Sequence, residues 1–409
     1  MHLLYILLVL LLVTRICSAV AVRFKQPALV GELLGGVLIG MGVVGFAGPE
    51  LDLESLNADA TFQGVLDLGV FFLMLMAGVE MHPGDLARVS KKAIPVALFG
   101  MFVPLGMGFG LGWWWLPDSD WKFVQSMFLG VALAITAVPV AVKVLKDLGK
   151  LQSPVGQVVV AAAVIDDVLS LLLLAVLTSL IATGESLGLA QIGRIAVNVG
   201  VFFTLAWLTG RYLLPIAARN LGRLRLEHAD FTLLLVFGLG LAVLAELLDM
   251  HFLIGAFAAG LLFTRNTVGK ATHEDLQKQV ETLTLGFLAP VFFASIGIHL
   301  DLASLREIPV FVVVLIAVAT LGKLLGAGLT ARLAGFKGGE ALAVGSAMNA
   351  RGAVEIIVAD IALRGGLFDH PVPTPPEIKY LFSAVVIMAI VTTLASPVTL
   401  RALLRRSAF

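Results

Sequence analysis

Long apolar segments recur along almost the whole chain, and short polar stretches separate them. A helix needs about 20 apolar residues to cross a bilayer. By that rule the pattern predicts an all-α polytopic membrane protein with about 13 transmembrane helices. The predicted spans are 3–22, 27–46, 61–80, 93–116, 122–146, 154–182, 190–214, 229–248, 252–266, 273–299, 308–334, 338–364 and 377–404.

The charges between these spans alternate along the chain. One set of loops is basic and includes Arg23, Lys25, Arg88, Lys91, Lys92, Lys143, Lys146, Lys150, Arg211, Arg219, Arg223, Arg225, Arg401, Arg405 and Arg406. The other set is acidic or sparse and includes Glu50, Asp52, Glu54, Asp59, Asp118, Asp120, Glu185 and Asp249. Cytoplasmic loops carry an excess of Lys and Arg. The alternation therefore predicts an odd number of spans, with the N-terminus outside and the C-terminus in the cytoplasm.

Composition supports the membrane assignment. Of the 409 residues, 59% are hydrophobic and 14% are charged, and the mean hydropathy is +1.00. Globular chains average about 25% charged residues, so this chain lacks the charge to cover a soluble surface of its size. The 28 basic and 28 acidic residues balance, and they give no indication of nucleic-acid binding. The single cysteine, Cys17, excludes an internal disulfide and a cysteine-based metal site. No Lys or Arg precedes the first apolar segment, which predicts a retained span rather than a cleaved signal.

Two spans contain residues that disfavour a continuous helix. The fifth carries Thr136 and Pro139, and proline lacks an amide proton and disrupts the hydrogen bond one turn back. The twelfth carries Gly, Ser and Asn within residues 345–352. The two spans occupy matching places if spans 1–6 and 8–13 are inverted repeats around span 7. Paired interrupted helices in corresponding places point to a transporter's binding site near the membrane midplane. We therefore predict two crossing discontinuous helices.

Asp166 and Asp167 lie side by side inside the apolar sixth span. A charge at the centre of a spanning helix costs roughly 2.5 kcal/mol or more, so such acids are functional by default. Adjacent helical residues point about 100° apart, so the two acids need not face one ion. Two carboxylates in a low-dielectric cavity disfavour each other's ionised form, and their protons leave in coupled steps. We predict that this pair binds a monovalent cation or protons, because either neutralises the site.

Six segments, taken together and in order, resemble the second branch of the cation:proton antiporter superfamily, which contains bacterial sodium/proton and Kef-like members. They are Gln26–Gly40, Phe72–Glu80, Ala163–Val168, Gly255–Gly260, Pro290–Gly297 and Asn349–Glu355. The resemblance implies a sodium/proton antiporter fold, a homodimer in the lipid of the bacterial inner membrane, and a core that moves like an elevator. It implies a dimerisation domain of residues 1–80 and 229–300, a core ion-transport domain of residues 93–182 and 308–404, and a linker helix at 190–214.

The resemblance also assigns residues to the site. Asp-Asp marks the electrogenic exchangers of the family, whereas electroneutral relatives often carry Asn-Asp and Kef-type potassium systems Gln-Asp. Asp167 matches the essential ion-binding acid, Asp166 the acid of the electrogenic group, and Thr136 a polar residue at the unwound crossing. Some electrogenic members pair the first aspartate with a lysine in the tenth helix. By our placement Ser295 takes that position, which leaves the stoichiometry and the role of Asp166 open.

Three further charged residues of the core are predicted to form a network. Arg351 and Glu355 are an i,i+4 pair that neutralises itself inside a bundle, with a role in ion access or pH response as the alternative. Lys323, in the eleventh span, is a candidate partner for Glu355, Asp360 or Asp166. If Lys323 reached Asp166, it would replace the missing lysine.

These features predict a secondary active antiporter, not an enzyme, that exchanges Na⁺ (or K⁺ or Li⁺) for H⁺ without a cofactor. Sodium prefers hard oxygen ligands, and Asp167, the Thr136 hydroxyl, backbone carbonyls at the crossing and water are expected to supply them. Asn349 is a candidate helix cap or further ion ligand. A charged, empty core is costly to move through lipid, so only the loaded core is expected to cross.

Three other functions share some of these features. A Kef-like K⁺/H⁺ antiporter keeps the fold and changes the ion. A Na⁺-coupled solute symporter needs an added cavity for an organic substrate. An intramembrane enzyme is the third, but the chain has no Gly-x-Gly-Asp motif of membrane aspartyl proteases. It also lacks the third acid of the prenyl-transferase motif Asp-Asp-x-x-Asp, because residue 170 is a serine.

Overall fold

The computed structural model describes residues 2–24, 26–42, 59–81, 92–136, 138–183, 189–224 and 228–406. Several loop charges used above for orientation lie outside these ranges: Lys25, Glu50, Asp52, Glu54, Arg88, Lys91, Glu185 and Arg225. The same holds for residues 43–46 at the end of the second predicted span and for the side chains of Pro139, Lys143, Arg223, Arg405 and Arg406.

All regular structure in the described ranges is helical, and the helices follow the predicted spans. They are α1 (His2–Arg23), α2 (Ala28–Gly40), α3 (Ala60–Glu80), α4 (Ala93–Trp115), α5 (Lys122–Ala134), α6 (Val138–Asp147), α7 (Pro154–Thr183), α8 (Leu189–Leu208), α9 (Leu214–Leu224), α10 (Ala229–Leu247), α11 (Phe252–Leu262), α12 (Arg265–Val268), α13 (Lys270–Leu283), α14 (Ala289–His299), α15 (Ser304–Glu307), α16 (Pro309–Lys323), α17 (Thr330–Leu333), α18 (Gly338–Met348), α19 (Ala353–Arg364), α20 (Pro376–Lys379) and α21 (Leu381–Arg406). Short π-helical turns at Thr209–Leu213, Thr284–Leu288 and Leu324–Leu329 continue α8, α13 and α16.

The lengths of these helices fit a membrane-spanning protein. Among the described residues, nine helices are long and apolar enough to cross a bilayer, and the bent pair of α18 and α19 counts as a tenth span. The shorter helices α2, α5 and α11 are apolar as well. In lipid every backbone polar group must be satisfied internally, which is why such apolar segments become helices. The protein is therefore an integral membrane protein of the predicted all-α class, with nine or ten spans identified in the described part of the chain.

Contacts divide the chain into two compact units. The described residues of the first unit lie within Met1–Arg15, Leu38–Gly84 and Leu187–Ser295, and those of the second within Ile16–Val37, Asp85–Ser186 and Ile296–Phe409. In the first unit α3 packs on α11 through glycines. A Cβ atom on Gly78 would lie 2.2 Å from the Phe257 carbonyl oxygen. Small residues at these crossings let helix backbones approach closely, which drives helix association in lipid.

The second unit uses the same device between α4 and α5. A Cβ atom on Gly108 would lie 2.7 Å from the Leu129 carbonyl oxygen, and one on Gly130 would lie 2.7 Å from the Leu105 carbonyl oxygen. A buried apolar cluster joins α4, α6, α7, α18 and α21 nearby. These contacts hold the end of α5 in a defined place beside α7.

Both predicted helix breaks are present in the second unit. Helix α5 ends at Ala134, and Ile135 and Thr136 are non-helical before α6 begins at Val138. Pro139 falls in the first turn of α6, where an amide has no helical acceptor in any case, so the break lies just before it. Helices α18 and α19 are bent by 41° at residues 349–352. The prediction of two discontinuous helices is confirmed.

Candidate functional site

Asp166 and Asp167 lie near the middle of the 30-residue helix α7. The Asp166 side chain is fully buried, whereas Asp167 is surrounded by protein and still keeps some accessible surface. Consecutive helical residues point about 100° apart, which accounts for the difference. The charge of Asp166 acts on Asp167, so ionising both acids is unfavourable. Asp167 is thus the accessible member of the pair and Asp166 the enclosed one.

A fully buried lysine acts on Asp166. Lys323 ends α16, and its Nζ donates hydrogen bonds to Thr136 Oγ1 at 2.6 Å, to the Gly100 carbonyl oxygen at 3.0 Å and to the Ala134 carbonyl oxygen. An ammonium group has three donors and no acceptor, so these three oxygens satisfy it. The opposite charges of Lys323 and Asp166 attract one another. The structure therefore brings Lys323 to the enclosed aspartate.

Two of the lysine's acceptors are carbonyl groups that their own helices leave open. The Gly100 carbonyl would accept from residue 104 in a regular helix, but that residue is Pro104, inside α4. The Ala134 carbonyl belongs to the last residue of α5, where helical donors run out. Pro104 and the end of α5 therefore leave these two carbonyl groups free to accept hydrogen bonds from Lys323.

Thr136 lies between the lysine and the acid. This buried residue belongs to the non-helical segment after α5, and its hydroxyl and backbone both act on Asp166. Neither Asp166 oxygen has a hydrogen bond of regular geometry with any residue in the described ranges. A buried carboxylate with spare acceptor capacity thus faces a hydroxyl and an ammonium group.

Arg351 and Glu355 form a buried pair at the second helix break. The side chains of both are fully buried, and Arg351 Nε lies 3.6 Å from Glu355 Oε2. Arg351 also donates from Nη1 to the Ala132 and Ile135 carbonyl oxygens, at 2.7 Å each. These carbonyls belong to the end of α5, where helical donors run out. Arg351, in the break between α18 and α19, therefore hydrogen-bonds to the end of α5.

The remaining charged candidate has another partner. Asp360 forms an ion pair with Arg364, with Oδ2 2.9 Å from Nε. The charge of Lys323 interacts chiefly with Asp166 and more weakly with Glu355. Of the three partners considered from sequence for Lys323, the structure favours Asp166.

Asn349 and Ser295 occupy different surroundings. Asn349 is the C-cap of α18, and its Nδ2 donates to Thr320 Oγ1 at 3.4 Å. Its buried Oδ1 has no hydrogen-bond partner in the described part of the chain. Ser295 is buried in α14 and belongs to the first unit, whereas the other candidate residues belong to the second.

Within the described ranges, no group of three or more His, Cys, Asp or Glu side chains is placed to hold a metal ion.

Helix α21 supplies hydroxyl groups to the second break, which the sequence reasoning missed. Thr393 Oγ1 donates to the Arg351 carbonyl oxygen at 2.9 Å and accepts from the Arg351 amide at 3.1 Å. Ser396 Oγ donates to the Ser346 carbonyl oxygen at 2.8 Å, and the Ser346 hydroxyl bonds to that of Thr399. The available signal was a set of four hydroxyl residues, Thr392, Thr393, Ser396 and Thr399, within eight positions of a largely apolar helix.

The fold and the site together define a membrane protein of secondary-transporter architecture, in which two broken helices meet beside ionisable residues. A family model described as sodium/hydrogen exchanger, transmembrane, matches residues 8–406. The chain belongs to this family, and its resemblance to the cation:proton antiporter superfamily is confirmed.

Individual relatives match over nearly their full lengths. The Na(+)/H(+) antiporter of Enterococcus hirae is 30% identical over 398 residues, which cover 97% of this chain and 96% of that protein. The Na(+)/H(+)-K(+) antiporter GerN of Bacillus cereus is 31% identical over 391 residues, which cover 96% and 93%. The solved structure of the sodium proton antiporter MjNhaP1 from Methanocaldococcus jannaschii matches with a TM-score of 0.71 at 18% identity, covering 98% of this chain and 96% of that one. This last likeness shows a shared fold.

Proposed function

We propose that the protein is a secondary active antiporter that exchanges Na⁺ for protons at Asp167. The observation that carries this proposal is the charge balance of the buried site. Arg351 and Glu355 offset one another, and Lys323 offsets Asp166. One negative charge then remains on Asp167, the accessible acid. Because an unpaired charge in a membrane interior is costly, this site favours one monovalent cation or one proton.

The surroundings of α5 support Asp167 as the main protein ligand. The carbonyl oxygens of Ala132, Ala134 and Ile135 already accept hydrogen bonds from Arg351 or Lys323. A carbonyl beside a fixed positive charge is a poor ligand for a further cation, because like charges repel. Water is therefore proposed to complete the shell of the ion around Asp167.

Asp166 and Lys323 are proposed to set the stoichiometry. Their charges attract within a buried environment, so the protonation of one depends on the other. We propose that the charge state of this pair determines whether exchange is electrogenic, as the Asp-Asp pair does in the family. In this proposal Lys323 supplies the positive charge that some electrogenic members of the family carry on a lysine at the place of Ser295.

The same charge balance supports obligatory exchange. The site is neutral with a cation or proton on Asp167 and charged without one, so the empty state is the costly one to move through lipid. We propose an elevator movement of the core domain, residues 93–182 and 308–404, in a homodimer of the bacterial inner membrane. In this arrangement the N-terminus lies outside and the C-terminus in the cytoplasm.

Proteoliposomes with an imposed pH gradient and an internal pH dye test the proposal. Pulses of NaCl, LiCl and KCl are compared with choline chloride, and a potential-sensitive dye is recorded in parallel. Sodium-dependent proton movement is expected from the wild-type protein and from Asp230→Asn, which changes an exposed acid in the first turn of α10. It is expected to vanish in Asp167→Asn while the protein still folds. Retained exchange in Asp167→Asn refutes the site. A response to KCl alone favours the potassium alternative, to which the name of GerN lends support.

A further inference from the structure

The hydroxyl group of Thr393 forms hydrogen bonds with both the backbone amide and the backbone carbonyl of Arg351. Thr393 Oγ1 accepts from the Arg351 amide and donates to the Arg351 carbonyl, at 3.1 and 2.9 Å. A threonine hydroxyl has one proton to donate, and here it is fully used. Arg351 lies between α18 and α19, where helical partners are missing, so Thr393 stands in for them.

A chain of contacts leads from the backbone of Arg351 to Asp166, beside the proposed cation site at Asp167. The Arg351 guanidinium holds the carbonyl oxygens of Ala132 and Ile135, and Ile135 directly precedes Thr136. Thr136 accepts from Lys323 and acts on Asp166. A displacement of the Arg351 backbone would therefore be transmitted to Thr136 through a guanidinium with two short hydrogen bonds.

The neighbouring residue shows what an ordinary hydroxyl in this helix does. Thr392 is as deeply buried as Thr393, with 1% and 2% of their surfaces exposed. The Thr392 hydroxyl bonds to the Met388 and Ala389 carbonyl oxygens of its own helix. Such back-bonding is the usual fate of a threonine in an apolar helix. Thr393 instead reaches across to another segment.

We propose that Thr393 is a positioning residue for the cation site, because it fixes Arg351 and through it the unwound segment around Thr136. This inference rests on the proposed function, since it concerns the affinity for the transported cation. Ser396 supports the same arrangement from the following turn of α21, where it donates to the Ser346 carbonyl at the end of α18.

The test compares Thr393→Val with Thr392→Val, because valine keeps the shape of threonine and replaces its hydroxyl with a methyl group. The first measurement is hydrogen–deuterium exchange of peptides covering residues 349–353, which does not depend on transport. Faster exchange is expected in Thr393→Val and wild-type exchange in Thr392→Val. In Thr393→Ser, which keeps the hydroxyl, exchange is expected to stay slow.

The second measurement is the apparent KM for Na⁺ in proteoliposomes. Loss of the two hydrogen bonds to the Arg351 backbone is expected to raise KM about three- to tenfold in Thr393→Val. Thr392→Val and Thr393→Ser are expected to keep the wild-type KM. Should Thr393→Val fail to accumulate, Thr393→Cys carries a weaker hydrogen-bonding group and is expected to shift both readouts in the same direction.

The outcomes separate this inference from the proposed function. Equal exchange and equal KM in the two valine variants overturn the inference. Faster exchange without a change in KM also overturns it, because the contact would then serve stability alone. A wild-type protein that moves no protons with any salt refutes the proposed function instead, while the exchange measurement still reports the Thr393–Arg351 contact.

Discussion

Lys323 Nζ lies 2.6 Å from Thr136 Oγ1 and donates a hydrogen bond to it. This bond joins the end of α16 to the unwound segment between α5 and α6, across 187 residues of sequence. It places a fixed positive charge beside the enclosed aspartate and uses carbonyl groups that would otherwise lack donors. Lys323 is therefore expected to affect both the stability of the protein and the proposed ion binding.

Lys323→Met is expected to destabilise the protein by about 2 kcal/mol or more, because charged hydrogen bonds contribute about 1.5–3 kcal/mol. The variant leaves the Gly100 and Ala134 carbonyls without this donor and removes the charge that offsets Asp166. Thermal unfolding in detergent measures the effect. The matched control is Lys278→Met, at an exposed lysine of α13. Equal midpoints for the two variants would contradict the role given to the buried ammonium.

Asp166→Asn is expected to weaken Na⁺ binding, because the site then contains one acid and one lysine and no longer needs a cation. The double variant Asp166→Asn/Lys323→Met restores a single negative charge. We expect it to recover part of the Na⁺ affinity and to exchange without generating a membrane potential. Titration of Na⁺ in proteoliposomes with a potential-sensitive dye measures both quantities. A double variant that binds Na⁺ no better than Asp166→Asn argues against the charge balance.

Arg351→Gln is expected to destabilise the protein by about 3 kcal/mol or more, since it leaves the Glu355 carboxylate buried and unpaired. It also removes two donors from the end of α5. Glu355→Gln is expected to cost less, because Arg351 keeps both of its carbonyl acceptors. Thermal midpoints and expression levels of the two variants test whether Arg351→Gln loses more stability than Glu355→Gln. A larger loss in Glu355→Gln than in Arg351→Gln would show that the carbonyl contacts matter little.

Gly108→Ala is expected to separate α4 from α5 and lower the thermal midpoint, because its Cβ would lie 2.7 Å from the Leu129 carbonyl oxygen. Gly110→Ala changes the same helix two residues later, where a Cβ meets nothing within 4 Å. Alanine is favoured over glycine in a helix by about 0.5–1 kcal/mol, so this control is expected to be neutral or stabilising. If the two variants unfold at the same temperature, the close helix approach is not a stability determinant.

Local features of the chain were predictable, since they depend on neighbouring residues. Apolar length alone predicts helices in lipid, and α7 runs from Pro154 to Thr183 where residues 154–182 were predicted. The break before Pro139 follows from the preference of proline for the first turn of a helix, and the break at 349–352 from residues that disfavour a helix. The i,i+4 spacing likewise indicated that Arg351 and Glu355 would meet. Arg351 Nε lies 3.6 Å from Glu355 Oε2, although Arg351 precedes the first residue of α19.

Long-range contacts were not predictable in the same way. From sequence, three acids were equally open as partners of Lys323, and the lysine of the family was sought at Ser295 instead. The sequence does not distinguish Thr393 from Thr392, because the two share one local context, yet in the structure only Thr393 bonds to another segment. A side chain's reach across a bundle depends on how helices cross, and that in turn depends on packing far along the chain.

By itself, the sequence determined that this protein is helical and membrane-embedded. It also determined where two of the spans are interrupted and that two adjacent acids lie within a third. The tertiary structure alone decided which acid is enclosed, that Lys323 and Thr136 meet beside it, and that α21 holds the second break. The physical reason is one of range. Hydrophobic length and backbone chemistry act within a few turns of a helix, whereas the balance of buried charges is settled only when distant helices pack together.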